Sequence, residues 1–404
     1  MSTELQYSDT FGQNRQLPSV ILLHGNDNLF SIARSFAKRG IPVHLLNHSH
    51  SVARYCRGTS LINLPENVPL MEAAFHFLMS PESDYLKGSV LLAASDDALE
   101  CVAKNREALT SRYLLDSCNA TAQLAMLDKL QTYRISQDAG VPTPKFWNVE
   151  KDTDLYSFKG ELVYPLLVKP LLSHEFQKKF SQNIKFVTAN NFQEATEAVE
   201  LLHSLEIDVL LLEKIPGADT QLCSYYTYMN EDGIPEFDFT KRIIRRYPKN
   251  MGLATCHKTD HVPHVKDLAV RLFQAAGLVG LANAEFKWDS RDETLKLIEC
   301  NARFTAANGL VFRAGLDLAS FVYNRLTGLA APPMDHFQDN LTMWDPARDF
   351  RAYRELRKSG EISFNEWLRS ILRGHTFPCF QWADPIPALA RLLQRAWKLR
   401  KSRS

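Results

Sequence analysis

Glu285, Glu299, Asn301 and Arg303 are the residues whose types and spacing most plainly suggest chemistry. Gly280–Asp289 and Thr294–Arg303 both alternate with period two and flank a short polar turn, Ser290–Glu293, which predicts adjacent antiparallel strands. On the second strand Glu299, Asn301 and Arg303 fall at i, i+2 and i+4, so they share one face at a spacing of roughly 7 Å. Ile298 and Cys300 are expected to face the core, and Glu285 reaches the same surface from the first strand. Two carboxylates and a carboxamide form a hard oxygen site suited to Mg²⁺, which fills its octahedron with phosphates and water. An arginine one step along suits a transferring phosphoryl group or an acyl phosphate. On an exposed strand the same pattern merely pairs charges, so other residues must decide.

Two lysines in apolar settings bear on that choice. Lys129 follows Asp128 at the start of a predicted helix, and Lys169 lies inside the apolar run Leu166–Leu172. A lysine in a buried strand is costly without an anionic partner, and a triphosphate is one. Lys129 also reads as a lysine snorkelling to solvent. The apolar strand Val209–Glu213 runs into Lys214, Ile215, Pro216 and Gly217, a charged pair and a turn. A connection between two lobes can offer backbone N–H and C=O groups to an adenine edge in this way.

Other groupings carry less. His44, His48 and His50, and Cys256, His257, His261 and His264, invite a zinc reading. On a strand, however, His44 and His48 are too far apart to share a tetrahedral ion, and the second set reads as a loop facing substrate or solvent. Lys241, Arg242, Arg245 and Arg246 form a basic knot, read equally as a solvated turn or as a hold for an anionic group. Tyr225, Tyr226 and Tyr228 read as packing residues. No GxxxxGK[ST], GxGxxG or GxSxG motif occurs, which argues against a P-loop kinase, a simple dinucleotide dehydrogenase and a serine-nucleophile elbow.

The elements that must position these residues follow from the apolar pattern. Ser19–Gly25 is a short strand, a helical pattern through Leu29, Ile32, Ala33, Phe36 and Ala37 closes at Gly40, and Ile41–Leu46 is a second strand. This βαβ opening implies a parallel sheet. Val90–Ala94 repeats the unit, with Ser95, Asp96 and Asp97 capping the next helix. From Met126 the texture changes to strands Leu166–Pro170, Val209–Glu213 and Cys223–Tyr228, with helices over Asp128–Gly140, Phe192–Leu205 and Val265–Ala276. Ala331, Pro332 and Pro333 then read as a linker to a helical tail rich in Trp and Arg.

Composition sets the frame. The 404 residues are 45% hydrophobic and 23% charged, the balance of a soluble enzyme. Lys and Arg number 47 against 46 Asp and Glu, too even for a nucleic-acid binder. No apolar run approaches the roughly 20 residues of a membrane span. The polar N-terminus lacks the apolar segment of a secretory signal, and seven cysteines without a CxxC pair read as reduced thiols, so a cytoplasmic location is expected. Six basic residues in the last twenty read as a solvated helix end, with weak contact to an anionic membrane surface as the alternative.

Taken in order, Asp128-Lys129, Lys169-Pro170, Glu213–Gly217, Glu285–Lys287 and Glu299–Arg303 resemble the motifs of the ATP-grasp superfamily. The match covers about residues 126–328, and the α/β domain before it resembles the superfamily's usual N-terminal domain. The chain is most similar to carboxylate–amine ligases of the D-aspartate ligase type. That narrower likeness rests on Gly217–Asp219 before a Tyr-rich strand and Asp232-Gly233, on Arg245–Pro248 with Gly252, and on Trp344-Asp345, Trp367 and Asp384–Pro387.

The resemblance implies a fold of mixed α/β and α+β class. A Rossmann-like pre-ATP-grasp domain would span 1–125, an ATP-grasp N-lobe 126–205, a C-lobe carrying the Mg/ATP site 206–330, and a helical extension 331–404. It assigns Lys129 and Lys169 to the phosphates of ATP, and Glu213 with the backbone of Lys214 and Ile215 to the adenine end. Glu285, Glu299 and Asn301 would hold Mg²⁺, with Mn²⁺ as an alternative, and Arg303 and Lys169 would be catalytic. The implied reaction activates a small-molecule carboxylate as an acyl phosphate and couples it to an amine; an oligomer is compatible with this. A nucleotide-binding protein without ligase activity and an ATP-dependent carboxylase share the fold. The first of these is motivated by Ser173–Lys185, which lacks the glycines many ATP-grasp enzymes place over the phosphates.

Overall fold

Short apolar runs closed by caps and glycines fold into three sheets in a computed structural model that describes residues 17–171, 186–372 and 375–401, with side chains to 397. The glycine-free stretch Ser173–Lys185 and the basic side chains from Lys398 onward lie outside the described residues.

The first sheet is parallel, ordered β3-β2-β1-β4, with β1 Val20–Leu23, β2 Val43–Leu46, β3 Thr59–Ile62 and β4 Val90–Ala93. Period-two alternation buries β1 on both faces. Val20 and Leu22 pack with Leu29, Phe30 and Phe36 of helix Asn28–Lys38, whereas Ile21 and Leu23 pack with Leu78, Ala98 and Val102. Helix Asp96–Lys104, capped by the Ser95 hydroxyl, therefore covers the face opposite helix Asn28–Lys38.

The second sheet is antiparallel, ordered β5-β8-β6-β7, with β5 Phe146–Val149, β6 Leu166–Pro170, β7 Val187–Ala189 and β8 Val209–Glu213. Leu166, Val168, Val209 and Leu211 pack under helix Phe192–Ser204. Leu210 and Leu212 face the other way, with Leu167 and Leu171 against the same cluster, into a core shared with Tyr133, Phe273 and Phe286. Lys169 alternates with Leu167 and Leu171, which sets it on this second side.

The third sheet runs β13-β12-β9-β10-β11-β14-β15. Its strands are β9 Leu222–Met229, β10 Phe239–Tyr247, β11 Leu253–Thr259, β12 Gly280–Asp289, β13 Thr294–Asn301, β14 Thr342–Trp344 and β15 His375–Thr376. The C-terminal region, expected to be helical, thus adds two strands to this sheet. It is fastened by a buried ion pair between Arg34 and Asp384 at 3.0 Å, and Arg34 also donates to the Cys379 carbonyl. No helix among the described residues is long and apolar enough to cross a membrane.

Candidate active site

Strand register lays a polar row across the third sheet. Lys241 on β10 pairs with Ser224 on β9, Ser224 with Glu285 on β12, and Glu285 with Glu299 on β13. One step along, Phe239, Tyr226, Asn283 and Asn301 form the next row. The opposite face carries Cys223, Tyr225, Ala284, Phe286, Leu297 and Cys300 into the core. Alternation thus brings Glu285, Glu299 and Asn301 to one surface. The Asn301 amide donates to Asn283 Oδ1 at 3.2 Å, and Asn283 donates to the Tyr225 carbonyl, so the carboxamide is oriented.

Ile298 corrects the expectation that it faces the core. The pairing slips between Glu285–Glu299 and Phe286–Leu297, leaving Ile298 as the extra residue of a bulge. Leu297 takes the core position instead, and the half-buried Ile298 lines a cleft with Asp96, Lys129, Tyr133, Glu299 and Asn301. The cleft holds about 470 Å³ of empty space open to solvent. Tyr133 fixes the bulge by donating to the Ile298 carbonyl at 2.7 Å.

Lys129 lines this cleft, and Lys169 lies on the side of β6 that faces the core shared with Tyr133. Lys129 begins helix Lys129–Asp138, capped by Asp128, and its Nζ donates to the Leu171 carbonyl at 3.2 Å. That bond ties the helix start to the chain just beyond β6. Lys169 Nζ lies 5.6 Å over the Phe186 ring. Arg303 leaves β13 and grips Asp96 with both arms, at 2.5 and 2.8 Å. This partner, far away in sequence, comes from the parallel-sheet region, and nothing in the local pattern announced it.

Glu213 is buried at the end of β8. It accepts the Lys145 amide at 3.0 Å and pairs with Arg291 at 2.7 Å, while Arg291 also holds Asp289. The Lys214 N–H donates to the Pro165 carbonyl. The Ile215 and Gly217 carbonyls accept from Lys287 Nζ at 3.1 and 2.8 Å. The connection after β8 is therefore pinned by a lysine to which the sequence pattern assigned no role. Its signal was present, since Lys287 lies two residues past Glu285 on the same face.

No protein-family model matches the chain. A D-aspartate ligase of Enterococcus faecium (strain Aus0004) is 22% identical over 321 residues, which are 75% of each chain. The L-amino acid ligase of Bacillus licheniformis has a TM-score of 0.59 at 19% identity, over 78% of this chain and 75% of that one. An N5-carboxyaminoimidazole synthetase of Staphylococcus aureus, complexed with ADP, has a TM-score of 0.58 at 17% identity, over 79% of both. This chain has the ATP-grasp fold of these enzymes.

The electrostatics of this site centre on buried cations. Lys241 Nζ stands 3.8 Å from Glu285 Oε1; burial pulls its pKa down and Glu285 opposes the shift. Burial likewise lowers Lys287 to about 8, against the pull of Asp219. Burial, and then Glu299, push the Tyr133 hydroxyl far up, so it stays a neutral donor. The basic knot proves to be strand rather than turn, and its members are taken by carboxylates of the protein. Arg245 pairs with buried Asp349 at 2.8 Å, and Arg246 with Asp219 at 3.3 Å.

The donor set fits Mg²⁺ by its chemistry. Two carboxylates and one carboxamide are few, hard oxygens, as suits an ion that keeps waters and phosphates in its shell. Among the described residues no group of three or more His, Cys, Asp or Glu could hold a metal ion. The zinc readings dissolve accordingly: His257 is buried near Lys241, His261 packs on Phe337, and His264 precedes helix Val265–Ala275.

Proposed function

We propose that this ATP-grasp protein is an ATP-dependent ligase that activates a carboxylate as an acyl phosphate and joins it to an amine. The in-register pair Glu285–Glu299, flanked by Asn301 and with Lys129 lining the same cleft as Glu299 and Asn301, carries the reading. The likeness to D-aspartate ligase supports the same reaction class.

Roles follow from position. Lys129 and Lys169 neutralise the phosphates of ATP, and Glu213 with the Lys214–Ile215 backbone seats the adenine end. Glu285, Glu299 and Asn301 would hold Mg²⁺, which when bound offsets charge on the transferring phosphoryl group. A carboxylate is inert to amines until it gains a leaving group, and phosphoryl transfer needs mainly alignment and charge neutralisation. Arg303, held flat by Asp96, presents a guanidinium beside Asn301 for the acyl phosphate. The division into residues 1–125, 126–205, 206–330 and 331–404 is part of the same proposal.

A screen of acid and amine pairs for ATP-dependent phosphate release, with mass spectrometry of products, tests the reading. Release that needs both partners and yields an amide supports it. Release driven by bicarbonate alone would transfer the site to carboxylation, and ATP binding without turnover on any pair would leave a nucleotide-binding protein.

A further inference from the structure

The carboxyl ends of β1 and β4 are the switch point of the parallel sheet. The helices that follow them cover opposite faces, and such a switch point is where α/β sheets seat ligands. His24 and Gly25 stand at one lip and Ser95, Asp96 and Asp97 at the other. His24 has a positive φ of 46°, uncommon for a residue with a Cβ, and Gly25 follows at 140°.

The imidazole at this lip is oriented. His24 Nδ1 lies 3.0 Å from Asp97 Oδ1 and 3.0 Å from Ser95 Oγ. The Ser95 hydroxyl donates to Asp97 and accepts from the Ala98 amide, so one capping residue fixes both partners. With Nδ1–H directed at a carboxylate, Nε2 carries the free lone pair. The His48 ring meets His24 edge to face at 5.4 Å.

This lip is joined to the ATP-grasp cleft. Asp96, between Ser95 and Asp97, holds Arg303 and lines the cleft beside Glu299 and Asn301. The Asn28 amide donates to the Ala94 carbonyl at 2.7 Å and to the Phe304 carbonyl at 3.0 Å, locking the end of β4 against the residue after Arg303. Asp96 and Asp97 place carboxylate oxygens at this lip, which can accept from an ammonium group.

We propose that this switch point seats the amine substrate and that His24 Nε2, its ring oriented by Asp97, accepts the proton of the attacking nitrogen. This rests on the ligase reading above. The ammonium gives one proton to His24 and the freed lone pair attacks the acyl carbon. The C–N bond forms and the C–O bond to phosphate breaks. The nitrogen's second proton leaves with the phosphate, and His24 returns its own to solvent.

Hydroxylamine separates this role from a structural one, because it is unprotonated near neutral pH and needs no base. Wild type, His24→Gln and Asp97→Asn are assayed with ATP, Mg²⁺ and a panel of amino acids and dicarboxylates as acids, against hydroxylamine or alkyl amines. We expect both variants to keep hydroxamate formation within a few-fold of wild type, while His24→Gln loses amide formation about 100-fold or more. Equal loss with both nucleophiles, or no loss with either, overturns the proposal; matching melting temperatures exclude misfolding as the cause. Wild type that forms no hydroxamate from any acid overturns the ligase reading itself, and this proposal with it.

Discussion

Glu285 and Glu299 face each other in register on adjacent antiparallel strands, and the buried Lys241 ammonium stands 3.8 Å from Glu285. The two carboxylates are therefore not equivalent: Glu285 is matched by a cation the fold has already desolvated, and Glu299 faces the cleft.

That asymmetry predicts unequal responses to the same substitution. Glu285→Gln leaves Lys241 buried without its carboxylate and should cost about 3 kcal/mol. Glu299→Gln also removes a like charge directly opposite Glu285, which offsets part of the attraction to Arg303 and Lys241 that it forfeits, so it should cost clearly less than Glu285→Gln without metal. Urea unfolding in EDTA measures both; equal destabilisation would contradict the arrangement.

Lys287 predicts a pH dependence. Burial lowers it from 10.5 to about 8, so between those values the unfolded chain binds more protons at this site than the folded one. Stability from this residue thus rises with pH across that window, and the cost of burying the charge is present in full below it. Lys287→Met abolishes the slope. Wild type should gain on the variant between about pH 8 and about pH 10.5 in urea midpoints, and parallel profiles would refute the assignment.

Arg34 predicts how the tail is held. Its guanidinium bonds Asp384 and the Cys379 carbonyl in a buried setting. Arg34→Met strands a buried carboxylate and should cost about 3–5 kcal/mol, whereas Arg34→Met with Asp384→Leu should recover most of it. A double variant as unstable as the single one would show that the pair does not act as a unit.

Much of this was legible in the residue pattern, because alternation is a local property. The placement of Glu285, Glu299 and Asn301 on one face needed only period two and a polar turn between strands. The same rule failed at Ile298, where one bulge residue reverses the facing, and a bulge leaves no mark in a run of Leu, Ile and Cys. Lys287 could have been read from its offset to Glu285 but was overlooked. Asp96 under Arg303, and Asp349 under Arg245, could not be read, since partners brought together by sheet order leave no spacing signal in the chain. The basic knot was misread for that reason: its carboxylates lie on other elements.

Melting shifts with ATP, with and without Mg²⁺, test the central claim most directly, namely that Glu285, Glu299 and Asn301 together hold a magnesium-bound triphosphate. With ATP at a hundred times its dissociation constant, wild type should gain about 2.7 kcal/mol when Mg²⁺ is present and much less in EDTA. Glu299→Gln should lose the Mg²⁺-dependent part while retaining its fold. A variant that gains as much from Mg²⁺ and ATP as wild type does would contradict the account.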